Sequence, residues 1–134
     1  FKFKIKFIGN LNFLPKKISL SLRNLEKKNT KAKKTLIIFL NYSGKEDILN
    51  AANLLSKSSK KSSKKFESYI SSYGLPDPDI LIRTGGYKRV SDFMLYQISF
   101  TELFFTKKLW PSINNEDIKK FIEQFNKIDR KFGN

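Results

Sequence analysis

The sequence predicts an α/β domain, a partly parallel sheet with flanking helices. Apolar strand-length runs alternate with segments of helical periodicity along the chain, and turn residues separate them. Strands that alternate with helices pair in parallel, because a parallel connection needs a crossover element. The 134 residues suit one compact domain, 1–134, and 40% hydrophobic content with thirteen Phe sets it apart from disordered chains.

Residues 1–8, FKFKIKFI, put Phe1, Phe3, Ile5 and Phe7 on one face and Lys2, Lys4 and Lys6 on the other, the pattern of a half-buried strand. After Gly9-Asn10, Pro15 suits the first turn of a helix carried by Ile18, Leu22 and Leu25 to about Asn29. The run Thr35–Asn41 reads as a strand covered on both faces. A turn at Asn41-Tyr42-Ser43-Gly44 leads to a helix with Ile48, Leu49, Ala52 and Leu55 as its stripe. Lys57–Lys65, KSSKKSSKK, is a low-complexity Lys/Ser loop at 57–65 with no apolar face to bury. Phe66, Tyr69, Ile70 and Tyr73 restore helical spacing until Gly74 and Pro76. Asp79–Arg83 is a short buried strand, Ser91–Ile98 a helix and Leu103–Thr106 a strand. The last helix is capped by Asn114, with Glu116 and Asp117 in its first turn and Ile118, Phe121, Ile122, Phe125 and Ile128 as its apolar stripe. Lys127, Arg130 and Lys131 complement its C-terminal dipole.

The absence of Cys and His excludes disulfides, thiol chemistry, Cys/His metal centres and Ser-His-Asp catalysis. No apolar run approaches the roughly 18 residues of a membrane span and no signal peptide opens the chain, so a cytoplasmic location is expected. The net charge of +15 raises nucleic-acid binding, but scattered lysine beside abundant Asn, Ile and Phe fits a compositional bias as well. Phe1 is first and Met94 is the only methionine, so the natural N-terminus is expected to lie upstream.

Against that lysine background, only four residues are arginine, and Arg83 and Arg89 flank a Gly-Gly turn six residues apart. A planar guanidinium matches phosphate or carboxylate in a bidentate way that an ammonium cannot. Arg83 ends a strand, where ligands of parallel sheets sit, and Asn41 ends another. Thr84-Gly85-Gly86 lets backbone pass close to a ligand, while Ser91 and the free N–H groups of the expected helix complete an anion site. Glu102 lies between apolar runs. It is either a partner for lysine or solvent, or a ligand for a hard cation such as Mg²⁺, and spacing leaves both open.

The stretch PDPDILIRTGGYKRVSDFMLYQISFTELFFTKKLWP, Pro76 to Pro111, resembles the C-terminal signature of the cis-prenyltransferases, the family of undecaprenyl diphosphate synthase. Phe7-Ile8-Gly9, Asn41-Tyr42-Ser43-Gly44 and Asp129-Arg130-Lys131-Phe132-Gly133 match further landmarks in order, so the resemblance spans almost the whole chain. It implies a cis-prenyltransferase-like fold in which Arg83, Arg89, Val90 and Ser91 hold the diphosphate of isopentenyl diphosphate and Glu102 helps coordinate Mg²⁺. It also implies condensation of isopentenyl diphosphate onto an allylic diphosphate, giving a polyprenyl diphosphate lipid carrier with cis double bonds. A homodimer, peripheral at the inner face of the membrane through its lipid product, completes the expectation.

Four positions depart from the family pattern. Tyr87 replaces a glutamate, Asp92 an asparagine, Tyr96 a tryptophan, and Lys131 the arginine of an R-x-G element that reaches towards the partner's site. The D-G-N-G-R-W element with the catalytic aspartate is not in these residues, so the chain reads as the C-terminal portion, expected to be inactive alone. The rival readings are a non-catalytic subunit of a heteromeric prenyltransferase and a basic nucleic-acid-binding domain. Such subunits usually lack the diphosphate-binding arginines, which this chain keeps.

Overall fold

In the first of two units, Phe1–Leu75, strand β1 (Phe3–Ile8) runs parallel to β2 (Lys34–Phe39), in register from Phe3↔Lys34 to Ile8↔Phe39. The computed structural model describes residues 3–28 and 30–131, so the expectations for Phe1, Lys2, Asn29 and Phe132-Gly133 fall outside it. Burial along β1 follows the strand's length rather than its two faces: Phe3 is 42% exposed and Ile8 only 4%. The same gradient corrects the two-sided covering expected of β2, where Leu36 remains 48% exposed. Period-two patterning assigns faces, but how much of each face is covered depends on where neighbouring elements lie.

Helix α1 (Lys16–Glu26) starts after Pro15 as expected and packs on β1. The Glu26 carboxylate accepts the Phe7 N–H at 2.8 Å, which ties the end of the helix back to the strand. Helix α2 (Gly44–Ser56) is capped by Ser43, whose hydroxyl accepts the Glu46 N–H at 3.1 Å. Its inward face is rotated from the expected stripe: Gly44, Asp47 and Ala51 are buried, whereas Leu49 is exposed. A buried carboxylate, described below, takes the place an apolar stripe would have claimed.

The Lys57–Lys65 segment lacks regular structure only in part. Ser62 accepts the Lys65 N–H at 3.2 Å and caps α3 (Ser63–Glu67). The helix expected through Tyr73 stops there and continues as turns, with Ile70 buried and Gly74 at φ 82°.

The second unit, Pro76–Asn134, is built on β3 (Ile80–Arg83) and β4 (Glu102–Phe105), again parallel. The helix expected at Ser91–Ile98 does not form. Ser91, Asp92 and Met94 have φ of 48°, 62° and 48°, left-handed values that interrupt the succession an α-helix needs. Turns take its place, closed by N–H groups of Gln97 and Ile98 donating to the Met94 carbonyl at 3.0 and 3.1 Å.

Helix α4 (Asn115–Phe125) has the expected start. Asn114 accepts the Asp117 N–H, and the Asp117 side chain accepts the Asn114 N–H, both at 3.0 Å, a reciprocal capping box. Phe121 packs against Phe104 of β4, with ring centroids 5.6 Å apart. The helix ends at Phe125, so Lys127, Arg130 and Lys131 lie beyond its last turn, and the expected dipole complement is not realised. Arg130 instead donates to Asp79 at 2.6 Å and to the Phe100 carbonyl at 3.0 Å. Among the described residues, no helix is long and apolar enough to cross a membrane.

Candidate anion site at the end of β3

Arg83 is the last residue of β3, and the chain turns at once through Gly85 and Gly86, with φ of 88° and 84°. A side chain at Gly85 would have room, its Cβ meeting only Leu109 Cδ2 at 4.0 Å, so the left-handed backbone is what requires glycine. The Gly85 N–H donates to the Lys108 carbonyl at 2.8 Å and the Gly86 N–H to that of Thr106 at 2.9 Å. These amides therefore hold the turn against the segment after β4 and are not open to a phosphate. Without the expected helix after Ser91, the site loses its helix N-terminus as well. The guanidinium groups remain.

Arg83 organises the returning loop. Its Nη1 donates to the Arg89 carbonyl and to Ser91 Oγ, the latter at 2.8 Å. Ser91 thus accepts from an arginine rather than capping a helix. Arg89 extends from the same loop with its guanidinium over the Tyr87 ring, 4.5 Å from the centroid. Among the described residues the Arg89 side chain has no hydrogen-bond or ion-pair partner, so its donors are open to a ligand. Val90 and Phe93, with Leu81, Ile82, Arg83 and Thr84, line an open cleft of about 250 Å³. Arg83, Arg89, Val90 and Ser91 are therefore brought together.

Glu102 is not. It opens β4 opposite Ile80, whereas Arg83 lies opposite Phe105, three register steps further on. That separates the two by roughly 10 Å along the strands and, three being odd, places them on opposite faces. Nor is there a group of three or more acidic side chains suited to a metal among the described residues. The strand register alone therefore does not place Glu102 beside Arg83.

Two residues escaped the sequence reading. Tyr87 departs from the family pattern, and the signal for its stacking is an aromatic two residues from an arginine. Asp47 was unmarked, and it is the buried anchor of a second cleft of about 330 Å³ at the carboxyl ends of β1 and β2. Its carboxylate accepts from the Tyr42 hydroxyl at 3.0 Å, the Ser71 N–H at 2.9 Å and the Ser71 hydroxyl at 2.8 Å. Asn10, Asn12, Asn41 and Asn50 line the same cleft.

A family model described as "Putative undecaprenyl diphosphate synthase" matches residues 2–133. An isoprenyl transferase of Thermotoga maritima is 35% identical over 137 residues, covering 97% of this chain and 59% of that protein. A ditrans,polycis-undecaprenyl-diphosphate synthase of Coxiella burnetii, named as specific for (2E,6E)-farnesyl diphosphate, is 37% identical over 141 residues, with coverage of 97% and 59%. Lavandulyl diphosphate synthase from Lavandula x intermedia, solved in complex with dimethylallyl diphosphate, superposes with a TM-score of 0.90 at 27% identity, over 98% of this chain and 61% of that one. The chain thus spans about 59% of the length of these two curated relatives. With the expected α/β fold present and nearly every residue matched, the chain belongs to the cis-prenyltransferase family, that of undecaprenyl diphosphate synthase.

Proposed function

We propose that this chain supplies the isopentenyl diphosphate side of a cis-prenyltransferase site and is inactive without the rest of such an enzyme. The observation that carries the reading is the loop in which Arg83 gathers the Arg89 carbonyl and Ser91, leaving the Arg89 fork without an acceptor among the described residues. Two guanidinium groups in one loop offset the charge of a diphosphate and orient it through paired N–H donors. Val90 and Phe93 give the neighbouring cleft an apolar wall suited to the five-carbon tail. With its diphosphate held, isopentenyl diphosphate directs the terminal carbon of its double bond at C1 of an allylic diphosphate. A carbon–carbon bond forms there, the allylic C–O bond breaks with loss of diphosphate, and a proton leaves C2 of the former isopentenyl unit. The product in this reading is a polyprenyl diphosphate lipid carrier, made by a homodimer at the cytoplasmic face of a membrane. Any magnesium ion is assigned to carboxylates outside the Arg83–Ser91 loop, Glu102 being the one on β4.

The test is isopentenyl diphosphate binding and turnover by the protein expressed from its complete reading frame. Losing one charge-assisted contact costs about 1.5–3 kcal/mol, so Arg83→Ala and Arg89→Ala should each weaken binding roughly 10- to 150-fold. Arg83→Ala is expected to be the worse of the two, because it also releases the loop. Unchanged affinity in both variants would remove the assignment.

A further inference from the structure

Tyr87 lies outside the four residues assigned to the diphosphate, yet its ring lies under the Arg89 guanidinium. Building on the diphosphate reading of this loop, we propose that Tyr87 is a positioning residue, whose ring face holds Arg89 for the anion without consuming a donor. A carboxylate at this position could form an ion pair with Arg89, taking up to two of its N–H groups and offsetting its charge before a ligand arrives. An aromatic face does neither. It attracts the cation through its quadrupole and leaves the in-plane N–H groups open.

The geometry separates the jobs of the two arginines. Arg83 spends Nη1 on the Arg89 carbonyl and Ser91, so part of its donor set goes to building the loop. Arg89 keeps its full fork, and an exposed side chain of that length would otherwise sample many rotamers. Tyr87 is itself 59% exposed, so its ring is not committed to a core and its described role is the stack. An exposed cation–π contact of this kind corresponds to about a two- to five-fold effect on affinity.

The experiment is calorimetric titration of the protein from its complete reading frame with isopentenyl diphosphate, and separately with inorganic pyrophosphate. Tyr87→Leu should weaken both ligands about two- to five-fold, Tyr87→Phe should restore the affinity, and Tyr87→Trp should match or exceed it. A graded response to the ring, shared by a ligand with no prenyl tail, separates positioning of Arg89 from packing against the tail. Circular dichroism of each variant establishes that the fold is kept. If Tyr87→Leu binds like the parent while Arg89→Ala does not, the positioning role fails and the diphosphate reading survives. If Arg83→Ala and Arg89→Ala also bind like the parent, the diphosphate reading itself fails.

Discussion

The two parallel strand pairs end in chemically opposite ways. Beyond β1 and β2 the chain builds a cleft of amides around the buried carboxylate of Asp47, with three donors already satisfying it. Beyond β3 it builds a loop on Arg83 and leaves the Arg89 donors open. A shared topology therefore brings candidate binding residues to strand ends in both units, but only local charge decides what each end can hold. The carboxylate of the first end is satisfied within the fold, whereas the second end presents cationic donors. That difference supports the proposed assignment of the anion to the Arg83 loop.

The sharpest structural contrast lies in the glycines. A Cβ at Gly9, where φ is 118°, would sit 2.1 Å from the Leu40 carbonyl oxygen, so backbone must move. Gly9→Ala is expected to destabilise by roughly 3 kcal/mol or more, since strain and overlap act together. Gly85→Ala meets open space and carries only the left-handed penalty, about 1–2 kcal/mol. Chemical denaturation of both variants checks the order. Equal losses would mean that the first strand end is not the tighter of the two.

A smaller effect separates the units by pH. The Lys108 ammonium, at 2.7 Å, and the Asn114 N–H hold the Asp117 carboxyl below its ordinary range. A folded-state value lower than the unfolded one stabilises above the ordinary aspartate range, about 3.9, and that contribution is lost as pH falls through the lowered folded value. The ammonium is half-exposed, so salt screens the pair. Acid unfolding followed at low and high salt should show Asp117→Asn flattening the acid limb chiefly at low salt. An acid limb identical in parent and variant would remove the pair from the account of α4.

Much of this was legible in the residues, and the failures have distinct causes. The Asn114 cap was readable because a side chain that bonds its own helix end is a local event. Arg83 and Arg89 stood out because lysine supplies nearly all other positive charge. The Ser91–Ile98 helix failed because the backbone turns left-handed at Ser91, Asp92 and Met94. Asp tolerates that region, but nothing about methionine announces it. The stripe of α2 was misplaced because Asp47 faces inward, and hydrophobic periodicity cannot see a carboxylate that gains its partners from Tyr42 and Ser71. The distance of Glu102 from Arg83 was not legible, because it depends on the register of β3 and β4, which sets the two at opposite ends of the pair.

In the proposed reading the anion belongs to the Arg83 loop and not to the Asp47 cleft. Backbone amide NMR of the protein from its complete reading frame, titrated with isopentenyl diphosphate, reads both ends at once. The expected result is saturable shifts at Gly85, Gly86, Arg89 and Ser91, with Ser43, Asp47 and Ser71 unmoved. Shifts confined to Ser43, Asp47 and Ser71 would contradict it.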